Sequence, residues 1–210
     1  MRNPICFVGI DGSGKTTLAL RLVRQLKRSN VKCRYVWFRQ TYFLSLPYLA
    51  LCRLGGLTKV YHRGSTVWKE HHFRAGLLAF VWVLLQLFDV CLLHMAKIRL
   101  PMSRGYVVVC DRYIHDMLVD IMVDIEGHRT CAELAGHVMM TLIPGSALVF
   151  LVDVDEETAF KRKQDIPDIS YLRIRRASYH RFANLENVHI LREGESCVAF
   201  RNLGFKLSNY

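Results

Sequence analysis

The sequence has no C-x-x-C pair, no internal repeat, no low-complexity tract and no linker rich in proline, glycine or serine. Each absence excludes something. Without paired cysteines neither a zinc ribbon nor a disulfide scaffold is expected, and no structural metal. The seven cysteines, scattered mostly through apolar runs, read as reduced, buried thiols of an intracellular protein. Without a linker the 210 residues are expected to form one domain, 1–210, long enough to bury a core without staples. The first residues lead into a five-residue apolar stretch and then glycines, with no secretory h-region, so a cytoplasmic protein is expected.

A long unbroken hydrophobic run is missing too. Residues 77–95 (LLAFVWVLLQLFDVCLLHM) approach the roughly 20 residues of a bilayer span. Gln86, Asp89 and His94 interrupt them, and the longest purely apolar run, 77–85, is nine residues. A helix apolar almost all round is expected to be buried in a core or at a subunit contact. We therefore expect no membrane partner, and a homodimer formed through the 77–95 helix.

Acidic residues are scarce relative to basic ones: 18 against 29, a formal net charge of +11. That implies an anionic partner, for which nucleic acid, a membrane surface and nucleotide phosphates all qualify. The basic residues do not form runs interleaved with aromatics, so nucleic acid is not expected.

What is present is an alternation of short apolar runs with segments of helical length. Residues 5–10 (ICFVGI), 32–38 (KCRYVWF), 106–110 (YVVVC), 147–154 (ALVFLVDV) and 187–191 (NVHIL) read as strands. Leu18, Leu22, Val23 and Leu26 recur at helical spacing. Continuous apolar strands suit a parallel sheet buried on both faces. The class expected is α/β, with five mostly parallel strands between helical layers. Residues 42–57 suggest a further helix, and 196–210 a short amphipathic one.

Gly9-Ile10-Asp11-Gly12-Ser13-Gly14-Lys15-Thr16 fits G-x-x-x-x-G-K-[ST] at every fixed position, after a strand and before a helix. Gly9, Asp11, Gly12, Ser13, Gly14, Lys15, Thr16 and Thr17 are the expected nucleotide-binding residues. Such a loop curls so that successive N–H groups face a polyphosphate at a helix N-terminus. Lys15 would reach the β/γ-phosphates of ATP, and the Thr16 hydroxyl would bind Mg²⁺. The strand 107–110 ends in Asp111-Arg112-Tyr113. Asp111 is the expected second metal residue, with Asp153 its competitor, and Arg112 would clamp a second phosphate.

With these motifs in place, the chain resembles the thymidylate kinase family of nucleoside monophosphate kinases. The resemblance rests on FVGIDGSGKTT at 7–17, Arg39 after the second strand, RGYVVVCDRY at 104–113, DVDEETAFKR at 153–162 and the basic residues around Tyr179. It implies a three-layer P-loop fold with a short helical lid at about 161–175, and transfer of the γ-phosphoryl of ATP to a nucleoside monophosphate. It further implies that Asp11, Arg39, Arg112 and Tyr113 meet the acceptor. Lys15, Arg39, Arg112 and Arg162 would carry catalysis. The segment Asp11-Gly12-Ser13 holds no base, so the lid must supply the additional cation, from Lys161, Arg162, Lys163 or Arg173.

The chain also departs from the family pattern. Val8 stands where the family has glutamate, and the family's base-reading arginine falls near Asp89 or Val90. Gln86 and Asp89, three apart on one helical face, are candidates to pair with a nucleobase edge, or to tie down a neighbouring helix. A glutamine there also keeps a deoxynucleoside kinase open as the alternative activity.

Overall fold

A computed structural model describes residues 3–39, 43–63, 66–71, 76–125, 127–163 and 166–192. The chain begins with strand β1 (Ile5–Val8), helix α1 (Lys15–Arg28), strand β2 (Cys33–Trp37) and helix α2 (Ser45–Leu54). A hairpin, β3 (Thr58–Arg63) and β4 (Thr66–His71), precedes a long helix. This is α3 (Gly76–His94), which runs through a π-helical turn (Met95–Arg99) into α4 (Leu100–Ser103). Strand β5 (Val107–Asp111), helices α5 (Ile114–Asp124) and α6 (Arg129–Thr141) and strand β6 (Leu148–Asp153) follow. The described chain ends with α7 (Glu156–Arg162), α8 (Ile169–His180) and β7 (Val188–Arg192).

Five strands form one all-parallel sheet in the order β2-β5-β1-β6-β7. Every residue of β1 and β5 is buried, as unbroken apolar strands covered on both faces require. Helix α1 lays Leu18, Ala19, Leu22, Val23 and Leu26 inward and ends in Lys27 and Arg28, which complement the negative end of its dipole. The register sets Phe7 beside Asp111 on one side and Phe150 on the other, and Trp37 beside Asp111. The carboxyl ends of β2, β5, β1 and β6 therefore open along one edge, where open α/β sheets place their ligands.

All five expected strands are present, and α2 lies within the expected helical segment 42–57. The β3–β4 hairpin was not foreseen, although two β-prone runs flanking Gly64-Ser65 carry its signal. The expected amphipathic helix at 196–210, residue 42 of the expected helix 42–57 and residues 164–165 of the expected lid lie outside the described residues.

The 77–95 helix, expected to be buried in a core or at a subunit contact, is covered on one side within the chain. Helix α3 buries Ala79, Trp82, Val83, Leu87 and Val90 but leaves a second apolar stripe in solvent, with Leu77 72% and Phe88 54% exposed. It is a half-covered helix: among the described residues α2 and α6 pack along it, and its last residue, His94, lies against Phe38 and Tyr113.

Candidate functional site

The loop after β1 is shaped by its glycines. Gly9 has φ +138°, and a Cβ there would come within 2.6 Å of the Val152 carbonyl oxygen. Gly12, at φ +84°, lies against the backbone of Ala159, so a side chain would push α7 off the loop. Gly14, also left-handed, caps α1. Lys15 folds back into the loop, its Nζ donating to the carbonyl oxygens of Gly9 at 2.7 Å and Ile10 at 2.5 Å and to Ser13 Oγ at 3.3 Å. Burial, reinforced by the nearby Arg112 guanidinium, brings the Lys15 ammonium down to about 8.

Asp111, at the end of β5, meets this loop. Thr16 Oγ1 donates to Asp111 Oδ2 at 2.6 Å and Tyr35 Oη donates to the same oxygen at 2.8 Å. The other oxygen, Oδ1, is buried and has no hydrogen-bond partner. An orphaned carboxylate oxygen beside a loop threonine suits a hard divalent cation, which takes few protein ligands and fills its remaining positions with water and phosphate oxygens. Among the described residues no group of three or more His, Cys, Asp or Glu could hold a metal by itself. Asp153, the rival acid, is already held by Arg176 at 2.7 and 3.1 Å and by His180 at 3.4 Å.

The next residue, Arg112, has a left-handed backbone (φ +68°), the kind of strain that surrounding structure must hold in place. Its guanidinium ion-pairs with Asp11 and reaches Asp116 Oδ1 at 3.4 Å. Burial works against ionisation of Asp11, but Arg112, Lys15, Lys163 and Arg39 together hold its carboxyl well below the usual carboxylate range. Of the expected lid cations, Lys163 has its Nζ 3.6 Å from Asp11, whereas Arg162 is exposed at the end of α7. The structure thus gathers Asp11, Lys15, Arg39, Arg112 and Lys163 at one point. Separations of up to 152 positions along the chain are closed there.

Three expected acceptor residues make internal contacts, and for Gln86 and Asp89 these match the alternative reading, a tie to a neighbouring helix. Tyr113 is fully buried, its hydroxyl 3.2 Å from His94 Nε2 and its ring against Phe38 and His115. It belongs to the core. Asp89 accepts the backbone N–H groups of Phe43, Leu44 and Ser45 at 3.0, 2.9 and 3.1 Å and the Ser45 hydroxyl at 2.6 Å. Despite burial, these bonds keep its carboxyl below the ordinary range. Gln86 Nε2 donates to the same Ser45 Oγ at 3.1 Å. Both side chains fasten the N-terminus of α2, which has no capping side chain of its own.

Two residues of the site escaped sequence reading. Tyr35 reaches Asp111 from the neighbouring strand, a contact made by register alone. Asp116 accepts from Tyr113 N at 2.9 Å and Tyr179 Oη at 2.8 Å, so that its carboxylate orients Arg112 one helical turn earlier. Burial pushes its carboxyl up. The signal was the spacing: an acid four residues after the arginine, in the first turn of α5. Arg175, on α8, pairs with Asp120 at 3.2 Å and stacks 3.8 Å over the Tyr171 ring.

No family model matches the chain, and no curated protein matches it.

Proposed function

We propose that the protein is a P-loop kinase of the three-layer α/β/α kind that transfers the γ-phosphoryl of ATP to a nucleoside monophosphate, as the thymidylate kinases it resembles do. The observation that carries this reading is the Thr16–Asp111 contact with its unpartnered Oδ1, set against a glycine loop that opens a helix. Thr16 and Asp111 would hold Mg²⁺, which when bound neutralises charge on the β- and γ-phosphates. The N–H groups at the start of α1 and the Lys15 ammonium bind and orient the triphosphate. Arg39 and Arg112 grip the acceptor phosphate, whose oxygen forms the new bond to phosphorus as the bond to the β–γ bridging oxygen breaks and ADP leaves. Lys163 reaches the loop from the lid side and offsets the charge that builds on the moving group.

Chemistry of this sort depends on alignment and charge neutralisation, and the cluster around Asp11 supplies both. The alternative, a deoxynucleoside kinase, drew on Gln86 as a base reader. Gln86 Nε2 donates to Ser45 Oγ, a contact that supports an anchoring role for it over base reading. Turnover measured with ATP and Mg²⁺ across nucleosides and nucleoside monophosphates tests the reading. Phosphorylation of monophosphates supports it, and phosphorylation of nucleosides alone, or of neither, refutes it.

A further inference from the structure

Asp116 is a buried carboxylate whose two oxygens have different partners. Oδ2 accepts the Tyr113 N–H at 2.9 Å and so caps the start of α5. That role needs one acceptor and no charge. Oδ1 accepts the Tyr179 hydroxyl at 2.8 Å and lies 3.4 Å from Nη1 of Arg112. A buried charge is costly unless it is paired and hydrogen-bonded, so capping alone does not account for an acid at a position where an amide would serve. Burial pushes the carboxyl up, while Arg112, Lys15, the Tyr113 N–H and the Tyr179 hydroxyl draw it back toward the ionised form.

The Tyr179 contact depends on the register of two helices. Asp116 and Asp120 follow Arg112 at steps of four residues, and Tyr171, Arg175 and Tyr179 recur at the same step along α8, so each set shares one helical face. Helix α8 packs against α5, with Tyr179 on Asp116 and Arg175 on Asp120 at 3.2 Å, an order that makes the two helices antiparallel. The Tyr171 ring lies 3.8 Å under the Arg175 guanidinium. Arg176, one residue on, ties α8 to the end of β6 through Asp153 and to α7 through Glu156. These contacts fix the height at which the Tyr179 hydroxyl meets Asp116.

Arg112 is the residue that this arrangement supports. Its left-handed backbone persists only where surrounding groups hold it. Nη2 pairs with Asp11 of the glycine loop and Nη1 with Asp116 of α5, so the guanidinium is stretched between carboxylates from two separate elements. A guanidinium carries more N–H donors than these two pairs use, and the fixed plane aims the others in one direction. We propose that Asp116 and Tyr179 are positioning residues for Arg112: the Tyr179 hydroxyl holds Asp116, and Asp116 holds the guanidinium in the direction that meets the acceptor's phosphate. The acceptor in this statement rests on the reaction proposed above; the hold on Arg112 does not.

Two measurements on the full-length chain test the proposal. Hydrogen exchange of the Arg112 Nη1 protons, followed by NMR in isotope-labelled protein, reads the hold without turnover. Exchange should be at least about tenfold faster in Asp116→Asn and in Tyr179→Phe, since a hydrogen bond to a charged group is lost or weakened in each. Tyr179→Phe keeps the ring and leaves the α5 cap untouched, so it decides alone if Asp116→Asn fails to fold. Unchanged exchange in Tyr179→Phe together with unchanged exchange in a folded Asp116→Asn overturns the proposal. The second measurement is kinetic. Asp116→Asn should lower kcat/KM for a nucleoside monophosphate by about a hundredfold, as misplacement of a binding group does, with the KM for ATP changed less than about twofold. In an Arg112→Gln background the same substitution should cost less than about twofold, because its effect passes through the arginine. Equal losses in both backgrounds would make Asp116 a cap only and overturn the proposal. A wild-type chain that phosphorylates no monophosphate refutes the reaction, and the exchange measurement then still decides whether Asp116 and Tyr179 hold Arg112.

Discussion

Thr16 Oγ1 donates to Asp111 Oδ2 at 2.6 Å, a bond between residues 95 positions apart. It forms because β1 and β5 are parallel neighbours, so that the loop leaving one strand and the acid ending the other open on the same edge. Tyr35 shares the accepting oxygen and leaves Oδ1 bare. Asp111→Asn keeps the shape but removes the charge and half of the acceptor capacity. Turnover should fall by about a hundredfold or more, since the loss of charge stabilisation is about 3 kcal/mol. A Mg²⁺ titration should show a raised requirement. Unchanged Mg²⁺ dependence would assign the metal to other groups.

Lys15→Ala should abolish phosphoryl transfer. Its ammonium is held by loop carbonyls and not by packing, so the sheet should stay folded while the loop loses its internal brace. A variant retaining more than about a tenth of wild-type turnover would contradict the role, as tenfold is only about 1.4 kcal/mol.

The lid-side cation should be Lys163 and not Arg162. Lys163→Ala is expected to lower kcat at least about tenfold with little change in acceptor KM, because a cation acting on developing charge stabilises the transition state selectively. Arg162→Ala should change kcat less. The reverse order would show that Arg162 moves inward during catalysis.

Asp89→Asn should affect stability and leave substrate preference alone. The carboxylate serves three backbone N–H groups and a hydroxyl at the start of α2, and losing a cap costs about 1 to 2 kcal/mol. A lowered urea midpoint with an unchanged ranking of nucleoside monophosphates is the expected outcome. An altered ranking would restore Asp89 to the acceptor site.

His115 and His94 make stability fall in mild acid. Burial pushes both imidazoles down to about 4, with Arg99 adding to the effect on His94, and neither His115 nitrogen has a hydrogen-bond partner. In the unfolded chain each titrates near 6.5, so between about pH 6.5 and 4 the unfolded state binds more protons. The contribution is complete above that window and is lost as the pH drops through it, by at most about 3 kcal/mol for each histidine. Urea midpoints at about pH 7 and 4.5 should differ less for His115→Phe than for wild type. Equal differences would exclude His115.

The sequence alone determined the five strands, the α/β class and the glycine loop that opens a helix, because each is a local pattern. Apolar runs specify buried strands, glycines at fixed offsets permit one backbone path, and a lysine and threonine open the following helix. Asp111 and Arg112 were legible for the same reason, as charges closing an apolar strand. Tertiary structure decided everything that depends on distance in space. It turned Gln86 and Asp89 toward Ser45, buried Tyr113 against His94, brought Lys163 to Asp11, and set Asp116 behind Arg112. It also decided which stripe of α3 the other helices cover. A helix apolar on all sides carries no periodic signal of its own orientation, so packing against its neighbours, α2 and α6 among them, selects the face left to solvent.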